Sequence, residues 1–491
     1  MTDQEVSGEA LAKPALGIEA GPAGGAQPVR GGGGAAMASV PCGELLALAH
    51  EYEQSKRTDD AERVLGYVLA ATPDDAHALH LMGVVAYRKG DMERALTLIE
   101  RAIAVGIDTS LYYRNIGEIY RVLGRLDKAV ETARKSVALA PMDPLAQMNC
   151  GIILAEQLDF AGATECFNRA LAISPELAGA HFGLAEVLLA QGDFKRGWEE
   201  YEWRFRLNDV PPVMPKTDKP HWDGKPLPDG TLLLVADQGF GDGIQFGRYI
   251  PWAKARCRNV VLAASTTLKP LLSQLDPSVR VIHEWAKSGP FDAWCPLTGL
   301  PRLAGTTLDN IPAAVPYIRA APERVARWSA RLNALTPRGL RRVGCVWAGR
   351  PTHKNDWKRS MTLADLAPIT AVDGIALIVL QKGAGQRQTG SYYGRAPLVH
   401  LSAEIDSFED TAAIIDSLDL VLTVDTSVAH LAGAMGKKVW IMLPWAAEWR
   451  WLQDRTDTPW YPTARLFRQS TPGDWRDVAA QVAAELKREQ L

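Results

Sequence analysis

At 491 residues the chain is too long for one ordinary domain and, at about 150 residues per unit, implies about three. Its 47% apolar and 23% charged residues are those of a globular protein, and a net charge of −3 gives no sign of a nucleic-acid partner or a membrane surface. The six cysteines, Cys42, Cys150, Cys166, Cys257, Cys295 and Cys345, lack any paired Cys-x-x-Cys spacing, so neither a zinc site nor a disulfide framework is indicated and a reducing cytosol fits best.

The chain opens with acids at Asp3, Glu5 and Glu9 and no unbroken apolar stretch, which argues against a secretory signal and for a cytoplasmic location. Residues 1–41 are rich in Gly and Ala, with the run Gly31-Gly32-Gly33-Gly34, and cannot bury enough apolar surface to offset their ordering entropy. They read as a disordered tail. No run of eighteen apolar residues follows, so no membrane insertion is expected.

From residue 42 the chain aligns on itself at a period of 34. Small residues recur at Ala49, Gly83, Gly117, Gly151 and Ala185, and again at Ala61, Ala95, Ala129, Ala163 and Gly197. Two antiparallel helices that approach closely need a small residue on each. Four positions after the second small residue stand Leu65, Ile99, Ala133, Phe167 and Tyr201, and units end on Pro73, Pro141 and Pro175, which cannot continue a helix. This pattern resembles the tetratricopeptide (TPR) family over residues 42–211, about five repeats of an α-solenoid whose groove takes a peptide or protein partner. The last unit is unusual. Its second helix carries Trp198, Tyr201 and Trp203 and reads as a capping helix docking on the next domain.

Six prolines from Pro211 to Pro228 mark a linker over 212–228, and beyond it the pattern becomes α/β. In a first half, 229–335, residues 231–236 form a short apolar strand, then comes the loop Asp237-Gln238-Gly239-Phe240-Gly241-Asp242-Gly243, then a helix over 244–255. The glycines Gly239, Gly241 and Gly243 let backbone approach a ligand. Asp242 either takes a proton from an attacking hydroxyl or caps the helix.

A second half, 336–491, begins with a strand from Arg342, followed by a basic loop with Arg350, His353, Lys354, Lys358 and Arg359 that either neutralises a diphosphate without a metal or is simply a solvated basic loop. A buried strand at 375–380 ends in Gln381-Lys382-Gly383, where phosphate or base contacts are plausible. The most specific stretch runs from Leu418 to Gly436. Residues 420–424 are strand, Asp425 stands at its end, Thr426 or Ser427 caps, and 428–435 is a helix whose N-terminus favours a phosphate. His430 reaches the same ligand or is a satisfied core histidine. Trp445, Trp449, Trp451 and Trp460 either stack on a sugar or base or pack the two halves together.

With these residues in view, 230–480 resembles bacterial glycosyltransferase family nine, the heptosyltransferase-like group. Gly241-Asp242-Gly243-Ile244 matches that family's Gly-Asp loop, and Asp425-Thr426-Ser427-Val428-Ala429-His430 its Asp-Thr-Gly-x-x-His motif, with Ser427 in place of the usual Gly. The resemblance implies a GT-B fold of two Rossmann-like halves, an inverting transfer from a nucleotide sugar, and no essential metal or cofactor. It implies Asp242 as general base, Thr426, Ser427 and His430 on the donor diphosphate, Asp425 ordering the sugar or loop, and Lys354, Lys358 or Arg359 supplying charge. The first half, which contacts the acceptor in that family, is short here, so a lipid acceptor is not carried over. In layout alone the chain is similar to O-linked N-acetylglucosamine transferase, whose repeats present proteins. The expected acceptor is a protein held by the TPR groove. The alternatives are a polysaccharide or lipid-linked sugar, or a scaffold whose α/β domain has lost catalysis.

Overall fold

The computed structural model describes residues 40–207, 214–353 and 355–489. The tail expected at 1–41 therefore lies outside the described residues except for Val40 and Pro41, as does Lys354. The described chain divides into two compact units, one up to Val187 and one from Leu188 onward.

The first unit is a run of antiparallel helix pairs: α1 (Cys42–Gln54), α2 (Thr58–Ala71), α3 (Ala76–Arg88), α4 (Met92–Val105), α5 (Ser110–Val122), α6 (Leu126–Leu139), α7 (Pro144–Glu156), α8 (Phe160–Ile173) and most of α9 (Ala178–Ala190). The small residues sit where helices touch. A Cβ on Gly83 would stand 2.5 Å from Ile99, one on Gly151 2.8 Å from Phe167, and one on Gly183 2.5 Å from the same ring. Phe167 is fully buried between them. Aspartates start the helices: Asp75, Asp91, Asp143 and Asp159 each accept a backbone N–H of the first turn.

The turn inside each pair also repeats. Lys56, Gly90, Gly124, Leu158 and Gly192, 34 residues apart, all take positive φ, from +58° to +84°. Three are glycine, which adopts this conformation at no steric cost, whereas Lys56 and Leu158 carry strain of roughly 1–2 kcal/mol each.

The second unit holds α10 (Phe194–Tyr201), a 3-10 turn (Glu202–Arg206) and two parallel sheets. The smaller contains β1 (Leu227–Val235), β2 (Cys257–Ala263), β3 (Arg280–Ile282) and β4 (Ala293–Pro296) in the order β3-β2-β1-β4. The larger contains β5 (Arg341–Val346), β6 (Ile375–Val379), β7 (Leu398–His400), β8 (Leu420–Val424), β9 (Val439–Leu443) and β10 (Ala464–Arg468) in the order β10-β9-β8-β5-β6-β7. Every ladder is parallel. In both sheets the chain works outward from the first strand on one side and then crosses to the other. This is Rossmann-like order, with a switch point between β1 and β4 and another between β5 and β8. Strands β6, β8 and β9 are buried along their whole length, which explains their unbroken apolar runs.

Two expectations are corrected here. Strand β1 begins at Leu227, inside the expected linker, and Trp222 before it is buried with its N–H on Trp294 O at 2.8 Å. The helix expected at 244–255 begins instead at Phe240, within the glycine loop, and breaks at Arg248 before a short second turn (Ile250–Lys254).

Candidate functional site

A cleft of about 840 Å³ opens at the C-terminal ends of β1, β2, β5, β6 and β8 and is lined from both α/β halves. Of the loop and strand-end residues singled out in the sequence, Gly239, Gly241, Asp242, Arg350, His353, Arg359, Gln381, Lys382, Asp425, Thr426, Ser427 and His430 line it, and Gly243 and Lys358 do not.

The glycine loop forms the first turn of α11 (Phe240–Gly247). Its glycines serve packing more than ligand approach. A Cβ on Gly241 would lie 2.8 Å from the His430 ring, and one on Gly243 2.5 Å from Leu268. Gly241 thereby lets the helix Ser427–Ala434 of the second half lie directly against α11. Asp242 is inside this turn rather than at its cap, so the capping alternative falls: Gly239 occupies that position. The Asp242 carboxylate, 7% exposed, instead bonds Arg450 from the opposite half.

Arg450 is the residue sequence reading missed. It sits among tryptophans whose rings suit stacking. Its guanidinium is fully engaged, with Nε on Gln245 Oε1 at 2.5 Å and the two terminal nitrogens on Glu448 and Asp242. It also lies over the Trp449 ring, 4.6 Å from the centroid.

At the end of β8, Thr426 precedes the helix Ser427–Ala434 with extended backbone, and its hydroxyl meets Thr423 Oγ1 at 3.0 Å instead of capping the helix. Thr426, Ser427 and Val428 line the cleft, so the positive end of this helix faces it. His430, 5% exposed, shares a hydrogen bond through Nδ1 with Tyr461 OH at 2.9 Å and stacks on Trp451. Burial, then the charges of Arg450, Arg248 and Arg359, hold its pKa well below the ordinary histidine value. The ring is therefore a hydrogen-bonded group in surroundings that disfavour its charged form.

Gln381 is spent on the backbone. Its Oε1 accepts from Trp347 N and Ala348 N, and its Nε2 donates to Ala348 O and Lys382 O, all within 3.0 Å. Lys382 donates from Nζ to Ser402 O and Ile405 O at 2.6 and 2.7 Å, tying down the loop after β7. Arg359 faces the cleft near Asp356, 3.4 Å away.

Of the four tryptophans expected either to stack on ligand or to pack, three are packed, and Trp445 is half-buried. Trp449, Trp451 and Trp460 are buried, and Trp449 meets Phe194, Trp198 and Tyr201 of α10 with ring centroids 5.3–6.3 Å apart. Just after α10, Arg204 donates to Thr298 Oγ1 at 2.7 Å, and Thr298 donates to Asp237 at the end of β1 at 2.5 Å. Burial raises the Asp237 pKa against the opposing pull of Arg204 and Thr298. Among the described residues no group of three or more His, Cys, Asp or Glu side chains converges to hold a metal ion.

Tetratricopeptide-repeat family models match residues 74–142 and 150–201. The chain is similar to Protein FlbA of Caulobacter vibrioides, 26% identical over 471 residues, which is 90% of this chain and 72% of that protein. It is also 26% identical to the mouse cell division cycle protein 16 homolog over 138 residues, 26% of this chain and 22% of that protein. Solved structures similar to part of it include MamA from Desulfovibrio magneticus (19% identity, TM-score 0.30, 34% of this chain and 97% of that one). Another is YrrB, described as a TPR protein with an unusual peptide-binding site (17% identity, TM-score 0.29, 33% of this chain and 84% of that one). The chain thus carries tetratricopeptide repeats, followed by an α/β, Rossmann-like region with two parallel sheets.

Proposed function

We propose that the protein is an inverting, metal-independent glycosyltransferase with a GT-B-like catalytic region that moves a sugar from a nucleotide sugar to a hydroxyl, on a protein recruited by the repeats. The observation that carries this reading is the shared cleft: a carboxylate from one parallel-sheet half and an uncapped helix N-terminus from the other open on the same space. Its volume, about 840 Å³, is in the range of small-molecule sites.

In this reading the donor diphosphate lies against the first turn at Thr426 and Ser427, with Arg359 nearby, and the helix dipole offsets the charge that develops as it leaves. The acceptor oxygen attacks the anomeric carbon from the opposite face. A new C–O bond forms, the bond to the diphosphate oxygen breaks, and the hydroxyl proton passes to Asp242. Gln381 and Lys382 hold the loops that shape the donor side, and His430 acts as a wall and hydrogen-bonding partner. The likeness to FlbA covers 90% of the chain, so repeats and α/β region occur joined in a second protein, which favours joint action. No helix among the described residues is long and apolar enough to cross a membrane.

The test is to incubate the purified chain with a panel of nucleotide sugars and measure nucleoside diphosphate release with and without candidate acceptor proteins. One donor should be turned over, and Asp242→Asn should lower turnover about 100-fold or more while keeping donor binding. If no donor binds and the Asp242→Asn strain keeps its phenotype, the region is a scaffold. If only polysaccharide or lipid-linked acceptors respond, the repeats recruit something other than the substrate.

A further inference from the structure

Resting on that reading, the geometry points to Arg450 as the positioning residue that aims Asp242 at the acceptor hydroxyl, so that the base on one half is set by the other half. The guanidinium is 3% exposed and held on every nitrogen: by Gln245 beneath it, by Glu448 two residues back, and by Asp242 across the cleft. Stacking over Trp449 fixes its plane. Glu448 is anchored in turn, accepting Arg450 N at 2.9 Å. A side chain fastened this way has no freedom to follow a departing diphosphate. It can fix the direction of a carboxylate and favour its ionised form.

Several neighbours of Asp242 are engaged elsewhere or carry no charge. On α11, Gln245 is neutral and Arg248 is turned away, donating to Trp460 O at 2.8 Å and to Tyr317 OH at 3.1 Å. From the facing helix comes His430, engaged with Tyr461. Asp425 and Arg359 line the cleft on its donor side. Glu448 is bonded to Arg450 as well, and it draws on the same cation. Because the pair spans the two halves, Asp242 is aimed only while they are apposed.

The experiment is the pH dependence of kcat/KM for donor turnover by the full chain carrying Arg450→Gln, Arg450→Lys or Glu448→Gln, with donor affinity measured by calorimetry and folding by thermal unfolding. Activity needs the Asp242 carboxylate. Loss of the neighbouring cation lets it protonate at higher pH, so the acidic limb should move up by about one pH unit in Arg450→Gln. It should lie between wild type and Arg450→Gln in Arg450→Lys. It should move down in Glu448→Gln, where the guanidinium keeps more of its charge for Asp242. Donor affinity should stay within about threefold throughout, because only the base is affected. A limb that stays put while kcat falls overturns the proposal, as does a loss of donor affinity with a fixed limb, which would place Arg450 on the diphosphate. If Arg450→Gln fails to fold, the Glu448→Gln limb decides: a downward move supports the role and a fixed limb overturns it. A wild-type chain that binds no donor at any pH removes the transferase reading and this role together.

Discussion

The repeat region and the α/β region solve the problem of burial in different ways. In the repeats each contact joins residues about one period apart or less, as Phe167 does with Gly151 and Gly183. Every unit then repeats its neighbour's instructions. In the α/β region the decisive contacts span long stretches of chain: Asp242 with Arg450, Arg248 with Trp460, Arg204 with Thr298. One region is specified locally and redundantly. The other depends on single, unrepeated pairs.

The largest effect is expected where one region gives way to the other. By sequence the array runs to 211, yet α10 packs Trp198 and Tyr201 on Trp449 and the following turn carries Arg204 to Thr298. A chain begun at Leu188 should give a cooperative thermal transition, and one begun at residue 212 should not. Equal folding of the two would return α10 to the array.

A paired substitution comes next. Gly241→Ala drives a methyl to 2.8 Å from the His430 ring, and Gly151→Ala to 2.8 Å from Phe167, so each should cost about 1–3 kcal/mol by overpacking. Only Gly241→Ala, on the α/β side, should weaken donor binding. A donor affinity lowered by Gly151→Ala in calorimetry would mean that the two regions are not independent.

Titration separates the regions in a milder way. His80, fully buried on α3 beside Asn115, has its pKa lowered to about 3, by burial first and then by the charges of His77 and Arg114. The unfolded chain takes up this proton near pH 6.5 and the folded chain only near 3, so the stabilising contribution is full above 6.5 and is lost as the pH falls between them. Chemical denaturation of the full chain should show the repeat transition weakening by up to about 1.4 kcal/mol per pH unit in that window, and His80→Phe should flatten the slope.

The smallest effect runs the other way. Leu158 holds φ +64° where Gly90, Gly124 and Gly192 stand in sister repeats, and Leu158→Gly should raise stability by about 1 kcal/mol. No gain in the denaturation midpoint would mean that the leucine side chain offsets its own strain.

Much of this was legible beforehand. The small-residue register marked the helix contacts, and the apolar runs marked β1, β6 and β8 to within a few residues, because backbone periodicity is a local property. Asp425, Thr426 and Ser427 were placed at a strand end, where they are found. The roles were less legible. Gln381 and Lys382 looked like ligand contacts and are committed to backbone carbonyls and amides, and the glycines of α11 looked like ligand space and make room for His430 and Leu268.

What the sequence alone determined is therefore the periodic part: the helix pairs, the buried strands, and the two loops that meet at the cleft. The tertiary structure decided which side chains remain for chemistry. Arg450 lies 208 residues from Asp242, and a buried carboxylate takes whichever cation the fold brings within hydrogen-bond reach.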